Sequence, residues 1–324
     1  MTTYSSTLTD ARESVTDAFL YNPANFSPYI DKLSRNTITH SLEMIEHPDE
    51  LDELLQKIMA DYEANLRFFA DHRLPEYAVL DELALDDREL ALFLTFTCVT
   101  NHIHDGTKES KQTDGPTGLW QICGNLWEQH HWIFFPEELV EEDKKDDLKA
   151  LFGSIEIMDH RDPEWWYRTA KTLSEHWEGD PQQLLANPQP DSKSSQGRYD
   201  APSIKRALNN HDFPALSGRK IRPLWLRLMH EEVHELNRIE AISIPVDFHI
   251  VGITNRLSGG DAEFDRFNED HKETLRQFWQ LVCRRTDLIP GELDKPLWLL
   301  HKHWHDSGQK YVTQRVSEIS ESSM

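Results

Sequence analysis

A 3.6-residue apolar period, with almost no strand signal beside it, is what most limits the folds open to this chain. From Leu51 onward, apolar residues recur at Leu54, Leu55, Ile58, Met59, Tyr62, Leu66 and Phe69. That spacing lays one stripe along a helix, and the acidic turn Pro48-Asp49-Glu50 ahead of it suits a helix start. Residues 88–99 are apolar on nearly every face, which predicts a central helix buried all round. A third helix is predicted from about residue 272 to 285, with Leu275, Phe278, Trp279 and Val282 inward. Asp159, Asp162 and the pair Trp165-Trp166 read as a helix entry followed by its core anchor. The one β-like run, residues 242–246, is short and contains Pro245, so it suits an extended connection better than a strand. The expected fold class is all-α, in two lobes.

Charge restricts the partners. The chain of 324 residues carries 34 basic and 57 acidic residues, a formal net charge of −23. Such a chain repels a polyanion at ordinary ionic strength. Either its partner is not a polyanion, or it works where salt screens its own acidity. The scarcity of lysine and the even spread of acids favour the second reading, because screening lengths shrink to about 3 Å in molar salt. Cys98, Cys123 and Cys283 lie far apart and form no CxxC pair, so neither a disulfide framework nor a four-cysteine metal site is expected. No apolar run approaches the ~20 residues of a membrane span, and the first residues lack a secretory signal. A cytoplasmic protein with no membrane partner is expected, and no resident metal or cofactor.

Residues 187–202 are polar and rich in proline and serine, and divide an N-terminal helical region (1–186) from a C-terminal region (203–324). A second polar loop is expected over residues 105–118. The C-terminal region begins with a compact motif, Phe213-Pro214-Ala215-Leu216-Ser217-Gly218-Arg219-Lys220-Ile221, leading into the apolar run Pro223-Leu224-Trp225-Leu226-Arg227-Leu228-Met229. Backbone N–H groups at such a turn and helix start can grip a phosphate without sequence preference. Arg219, Lys220, Arg222 and Arg227 make this the densest basic stretch of an acidic chain; an ordinary helix start with a solvated basic end is the alternative. Further on, Pro245-Val246-Asp247-Phe248-His249-Ile250 puts an acid at the mouth of a helix, where it would serve as N-cap and the macrodipole would favour its ionised form.

The hairpin with its lysine, then V-D-x-H-I followed by Asn255-Arg256, resembles the helix-hairpin-helix DNA glycosylases, the superfamily of endonuclease III and the 8-oxoguanine glycosylases. The entry Ile244-Pro245-Val246-Asp247 is especially similar to the archaeal 8-oxoguanine enzymes. The stretch from Phe278-Trp279 to Leu293-Asp294-Lys295-Pro296-Leu297-Trp298 looks like their C-terminal helices. The resemblance covers roughly residues 213–298 and implies a helix-hairpin-helix element. It implies excision of a damaged base from double-stranded DNA, with 8-oxoguanine as a candidate, followed by AP-lyase action. Lys220 would be the nucleophile that forms a Schiff base with the sugar, and Asp247 its partner carboxylate. Ser217, Gly218, Arg219 and Arg222 would hold the DNA backbone. Trp225, Phe248, Trp279 and Trp298 are candidates to stack on an extruded base, with plain core packing as the alternative for each. The implied protein is a nucleoid-associated monomer. The four-cysteine iron–sulfur cluster of endonuclease III has no counterpart here.

Two other readings stay open. One is a helix-hairpin-helix module that binds DNA without catalysis. The other is a zinc hydrolase, since His230-Glu231-Glu232-Val233-His234 matches H-E-x-x-H, whose histidines share one face of a helix. Glu240 would be its third ligand. The groups His102/His104, His130/His131 and His301/His303/His305 match no defined metal spacing.

Overall fold

The computed structural model describes residues 48–101, 118–190, 197–258 and 264–322. The expectations for the first residues, His102 and His104, the loop at 105–118 and the middle of the polar loop at 187–202 fall largely or wholly outside them. The described residues are helical and contain no strand, so the all-α class holds; one isolated parallel bridge joins Asp200 and Asn237.

Two hydrophobic cores organise the helices. The first is built around α3 (Asp87–Thr100), which packs against α4 (Leu119–His130), α6 (Asp162–Trp177), α7 (Pro181–Ala186) and α9 (Ile221–Glu232). A helix with neighbours on all sides must be apolar all round, and every residue from Ala91 to Thr100 is buried. Its start is set by a capping box in which Asp86 and Glu89 each accept the other's backbone N–H. Short α2 (Pro75–Leu80), α5 (Lys145–Gly153) and α8 (Ala201–Asn210) complete this lobe.

The second core joins α1 (Pro48–Glu63) to α10 (Phe248–Leu257), α11 (Glu269–Thr286), α12 (Pro290–Lys302) and α13 (Gln309–Ser322). Leu54, Leu55, Ile58 and Met59 form the buried stripe of α1 as its periodicity predicts. The helix ends sooner than that stripe, however. Asn65 and Arg67 take left-handed φ values of 51° and 55°, and a short 3₁₀ turn over Arg67–Ala70 returns Phe68 and Phe69 to the core. Tertiary packing thus continues the apolar pattern after the helix has stopped. Arg315 and Tyr311 of α13 both donate to Asp61 of α1, Tyr311 Oη at 2.7 Å, which closes this lobe on itself.

The lobes do not follow the division expected from composition. Leu184 and Leu185 before the polar loop and Ile204 and Leu208 after it share the first core. The chain instead leaves the second lobe after Leu74 and returns to it at Ile244. The first crossing runs directly into a buried charge cluster. Arg227 on α9 donates to Glu76 of α2 and, at 2.8 Å, to Asp294 of α12; all three residues are buried. Next to them Glu231 accepts from Tyr77 and, at 2.7 Å, from Lys295. Arg227 is therefore a lobe-to-lobe tie and not part of a solvated basic patch.

Truncating one partner of a buried ion pair leaves the other charge stranded, at a cost of roughly 3–5 kcal/mol. Arg227→Met is expected to lose stability on that scale in urea unfolding, and adding Glu76→Gln and Asp294→Asn should restore most of it. Equal stability of wild type and Arg227→Met would show that the cluster does not join the lobes.

Candidate functional site

A cleft opens where the two lobes meet, and its walls can be built up from local chemistry. After α8 the chain turns back over residues 211–220. Ser217 donates through both N and Oγ to Phe213 O, and Gly218 N donates to Ala215 O at 2.8 Å. A Cβ on Gly218 would stand 2.9 Å from that same carbonyl oxygen, so glycine is what lets the turn close. Arg222 N then donates to Gly218 O, and α9 begins with Lys220 as its N-cap. Pro223 lies in the first turn, where a missing N–H costs nothing. The turn thereby delivers the Lys220 side chain to the cleft, where Nζ donates to Asn101 O at the end of α3, 3.0 Å away.

The opposite wall starts with Ile244-Pro245-Val246, extended and buried as expected of a connection. Proline suits this passage because it brings no N–H that would need a partner. Asp247 follows as the N-cap of α10. Its Oδ1 accepts from His249 N at 2.8 Å and Ile250 N at 3.0 Å, so Oδ2 takes no part in the cap. Gly252, one turn on, allows α12 to pass closely: a Cβ there would lie 1.9 Å from the His301 ring. Along α12, Asp294 and Trp298 stand one turn apart, and both line the cleft with Asp247, Lys220 and Trp120.

Two of the residues singled out from sequence, Lys220 and Asp247, thus face one cleft, joined by Trp298. The other stacking candidates do not reach it. Trp225 is wholly buried and donates to Thr95 Oγ1; Trp279 is buried and donates to Thr254 Oγ1. Both are core residues with their indole N–H satisfied. Phe248 is half-buried against His249, outside the cleft lining. Beside the turn at 211–220, Arg219 pairs with Glu273 at 2.9 Å and Arg222 donates to Asn209 Oδ1 at 2.6 Å. Trp120, Asn101 and Glu76 also line the cleft. Nothing local marks them, since only the packing of α2, α3 and α4 brings them to the cleft. Arg227 carried a signal, because it follows Lys220 by seven residues and so by two turns on one helical face.

Burial and neighbouring charge set the electrostatics. Burial pushes the Asp294 carboxyl up to about 8, helped by Asp247, Glu76 and Glu231 and opposed by Arg227. Burial acts the same way on Glu231, but Arg227, Lys295 and Tyr77 outweigh it and hold that group below its ordinary value. Behind Trp298, His249 Nδ1 and His301 Nδ1 face each other at 3.0 Å and share one hydrogen bond, with His249 packed on the indole at 4.5 Å. Lys302 Nζ also sits over that indole, at 4.7 Å from its centre. Burial, His301, Lys302 and Lys220 together lower His249 to about 4, against the pull of Asp247.

The H-E-x-x-H stretch does not lie on one helix. α9 stops at Glu232; His230 Nδ1 accepts Leu236 N at 2.8 Å, and His234 stacks on Tyr199 with ring centres 3.6 Å apart. Glu231, held by Tyr77 and Lys295, is committed to the lobe junction. Of the other histidines, His303 stacks on His72 while His301 faces His249. Among the described residues, no group of three or more His, Cys, Asp or Glu is arranged to hold a metal ion. No helix among them is long and apolar enough to cross a membrane. No family model matches the sequence, and no curated protein matches it.

An unfolded imidazole titrates near 6.5, whereas folded His249 titrates at about 4. The folded protein thus binds fewer protons between those values, and stability present above pH 6.5 is lost as pH falls toward 4. The shift corresponds to a loss on the order of 3 kcal/mol. Urea unfolding at pH 7.5, 6 and 4.5 should show a shallower acid loss for His249→Gln than for wild type; parallel curves would refute this assignment.

Proposed function

We propose that this chain is a DNA base-excision glycosylase of the helix-hairpin-helix type with associated lyase activity. The observation that carries the reading is the convergence of Lys220 and Asp247, 27 positions apart and on different lobes, on one cleft that also holds Trp120 and Trp298. A nucleophilic amine, a carboxylate and aromatic faces are what excision of an extruded base requires. The resemblance of the hairpin and of the V-D-x-H-I segment to that superfamily points the same way.

In this reading the damaged nucleotide leaves the duplex, and its base enters the cleft beside Trp298 and Trp120. As the glycosidic bond breaks, its electron pair departs with the base, which takes up a proton. The Asp247 carboxylate stabilises the positive charge that develops on the sugar. Lys220, acting as the free amine, bonds to C1′; the proton that its nitrogen then sheds passes to the ring oxygen as that bond breaks, which leaves the protonated Schiff base. Removal of a C2′ proton then expels the 3′ phosphate and nicks the strand. The Ser217-Gly218-Arg219 turn, with Arg222 behind it, would hold the backbone. An oxidised purine, 8-oxoguanine first, fits the archaeal resemblance and the two indoles. Double-stranded DNA would be the partner, with nucleoid association following from it.

Borohydride trapping on single-lesion duplexes, at low and at molar salt, tests the mechanism. Wild type is expected to give a covalent adduct that Lys220→Gln abolishes. Asp247→Asn keeps a capping side chain, so it should fold normally yet lose about 10²–10³ in rate. Absence of an adduct with every duplex at both salts would overturn the reading; DNA binding without an adduct would leave the non-catalytic module in its place.

A further inference from the structure

A second pocket lies on the first lobe, at the start of α8 and away from the cleft. It is lined by Arg198, Arg206, Arg238, Asp200, Ser203 and Asn237, together with Gln189. Asp200 is its one carboxylate, and both of its oxygens are spent. Arg238 holds it with a two-pronged pair, Nε to Oδ1 at 2.6 Å and Nη2 to Oδ2 at 2.7 Å. Ser203 adds its N–H and its hydroxyl to the same Oδ2. One guanidinium is therefore neutralised inside the pocket.

The other two have different neighbours. Arg206 donates to Ser203 Oγ at 3.0 Å, and Arg198 lies over the Tyr199 ring at 5.5 Å. Neither meets a carboxylate among the described residues. With 57 acids available for 34 bases, Arg88, Arg168, Arg219, Arg285 and Arg315 all face carboxylates. The backbone around the pocket is held as well. Asn237 N donates to Tyr199 O and Ala201 N donates to Asn237 O, which locks the segment bearing Arg238 against the head of α8. Both Tyr199 and Arg238 are in the left-handed region, at φ 51° and 56°.

The geometry points to an oxyanion site in which Arg198 and Arg206 grip a phosphoryl group, with Ser203 and the Asp200–Arg238 pair as its rigid floor. Two guanidinium forks match the spaced oxygens of a phosphate better than point charges would. The phosphoryl group can come from free phosphate or from a nucleic-acid backbone, and the chemistry of the site is the same for both.

Titration with inorganic phosphate needs no lesion, so it tests the site apart from the Schiff-base reading. At low ionic strength, phosphate should raise the thermal midpoint of wild type saturably above an equal-ionic-strength chloride control. Arg198→Gln/Arg206→Gln should weaken that response at least about tenfold, and Arg198→Lys/Arg206→Lys should restore part of it. Circular dichroism of each variant checks the fold. A second arm uses an undamaged fluorescent duplex. If the site takes backbone phosphates, the glutamine variant binds less tightly and its log K against log salt slope falls by about 1 for each lost contact. Unchanged duplex affinity with lost phosphate response assigns the site to free phosphate. The proposal is overturned if phosphate and chloride act alike on wild type, or if the glutamine variant responds as wild type does.

Discussion

One arginine buried between two hydrophobic cores is the constraint on which the rest of the molecule depends. Removing a guanidinium from water costs several kcal/mol, and only close carboxylates can offset it. Those that do so for Arg227 come from opposite sides: Glu76 heads into the first lobe and Asp294 belongs to the second. Parting the lobes would break the Arg227–Asp294 hydrogen bond, and removing either partner alone would strand a polar group in the low-polarity interior. The carboxylates nevertheless outnumber the cation they share. Asp294, pushed up to about 8 by burial and by the acids around it, relieves part of that excess by holding a proton near neutrality.

This cluster also fixes the cleft. Arg227 lies two turns beyond Lys220 on α9, and Asp294 one turn before Trp298 on α12. Each end of the ion pair is thus rigidly joined to a residue that faces the cleft. Asp247 is placed by a third short-range device, since α10 can approach α12 only because Gly252 leaves room for the His301 ring. Lys220 and Asp247 are thus fixed at helix caps and Trp298 within a helix, an arrangement that holds side chains in register.

How much of this is legible in the sequence depends on the range of the interaction. The central helix around Phe93 and Phe96 can be read because burial on every side leaves no polar face, and Asp247 because a helix cap is a local event. The end of α1 cannot: the apolar period runs on through Leu66 and Phe69, while Asn65 and Arg67 turn the chain. Trp225 and Trp279 look like Trp298 as letters, and only their partners Thr95 and Thr254 consign them to the core. The pairing of Glu76 with Arg227 spans most of the first lobe, with no local pattern to announce it. The polar loop misleads for the opposite reason. Composition records solvent exposure, and a loop can be exposed while both of its flanks enter the same core.

The acidity of the chain bears on how such a cleft could meet DNA. Affinity that rests on Z phosphate contacts falls with a slope of about −0.9Z in log salt, so a protein gripping many phosphates loses its substrate in strong salt. In this molecule Glu273 offsets Arg219 beside the hairpin, which leaves that surface dipolar and short of free positive charge. Recognition in the proposed reading would then rest on stacking at Trp298 and Trp120, which does not depend on releasing counterions. The diffuse charge of −23 works in the same direction. Screened beyond about 3 Å in molar salt, it no longer repels the duplex, while contacts formed inside that distance keep their strength. An acidic surface and a cleft that recognises a base by its faces are therefore compatible, provided that specificity is carried by extrusion of the base and not by attraction to the backbone.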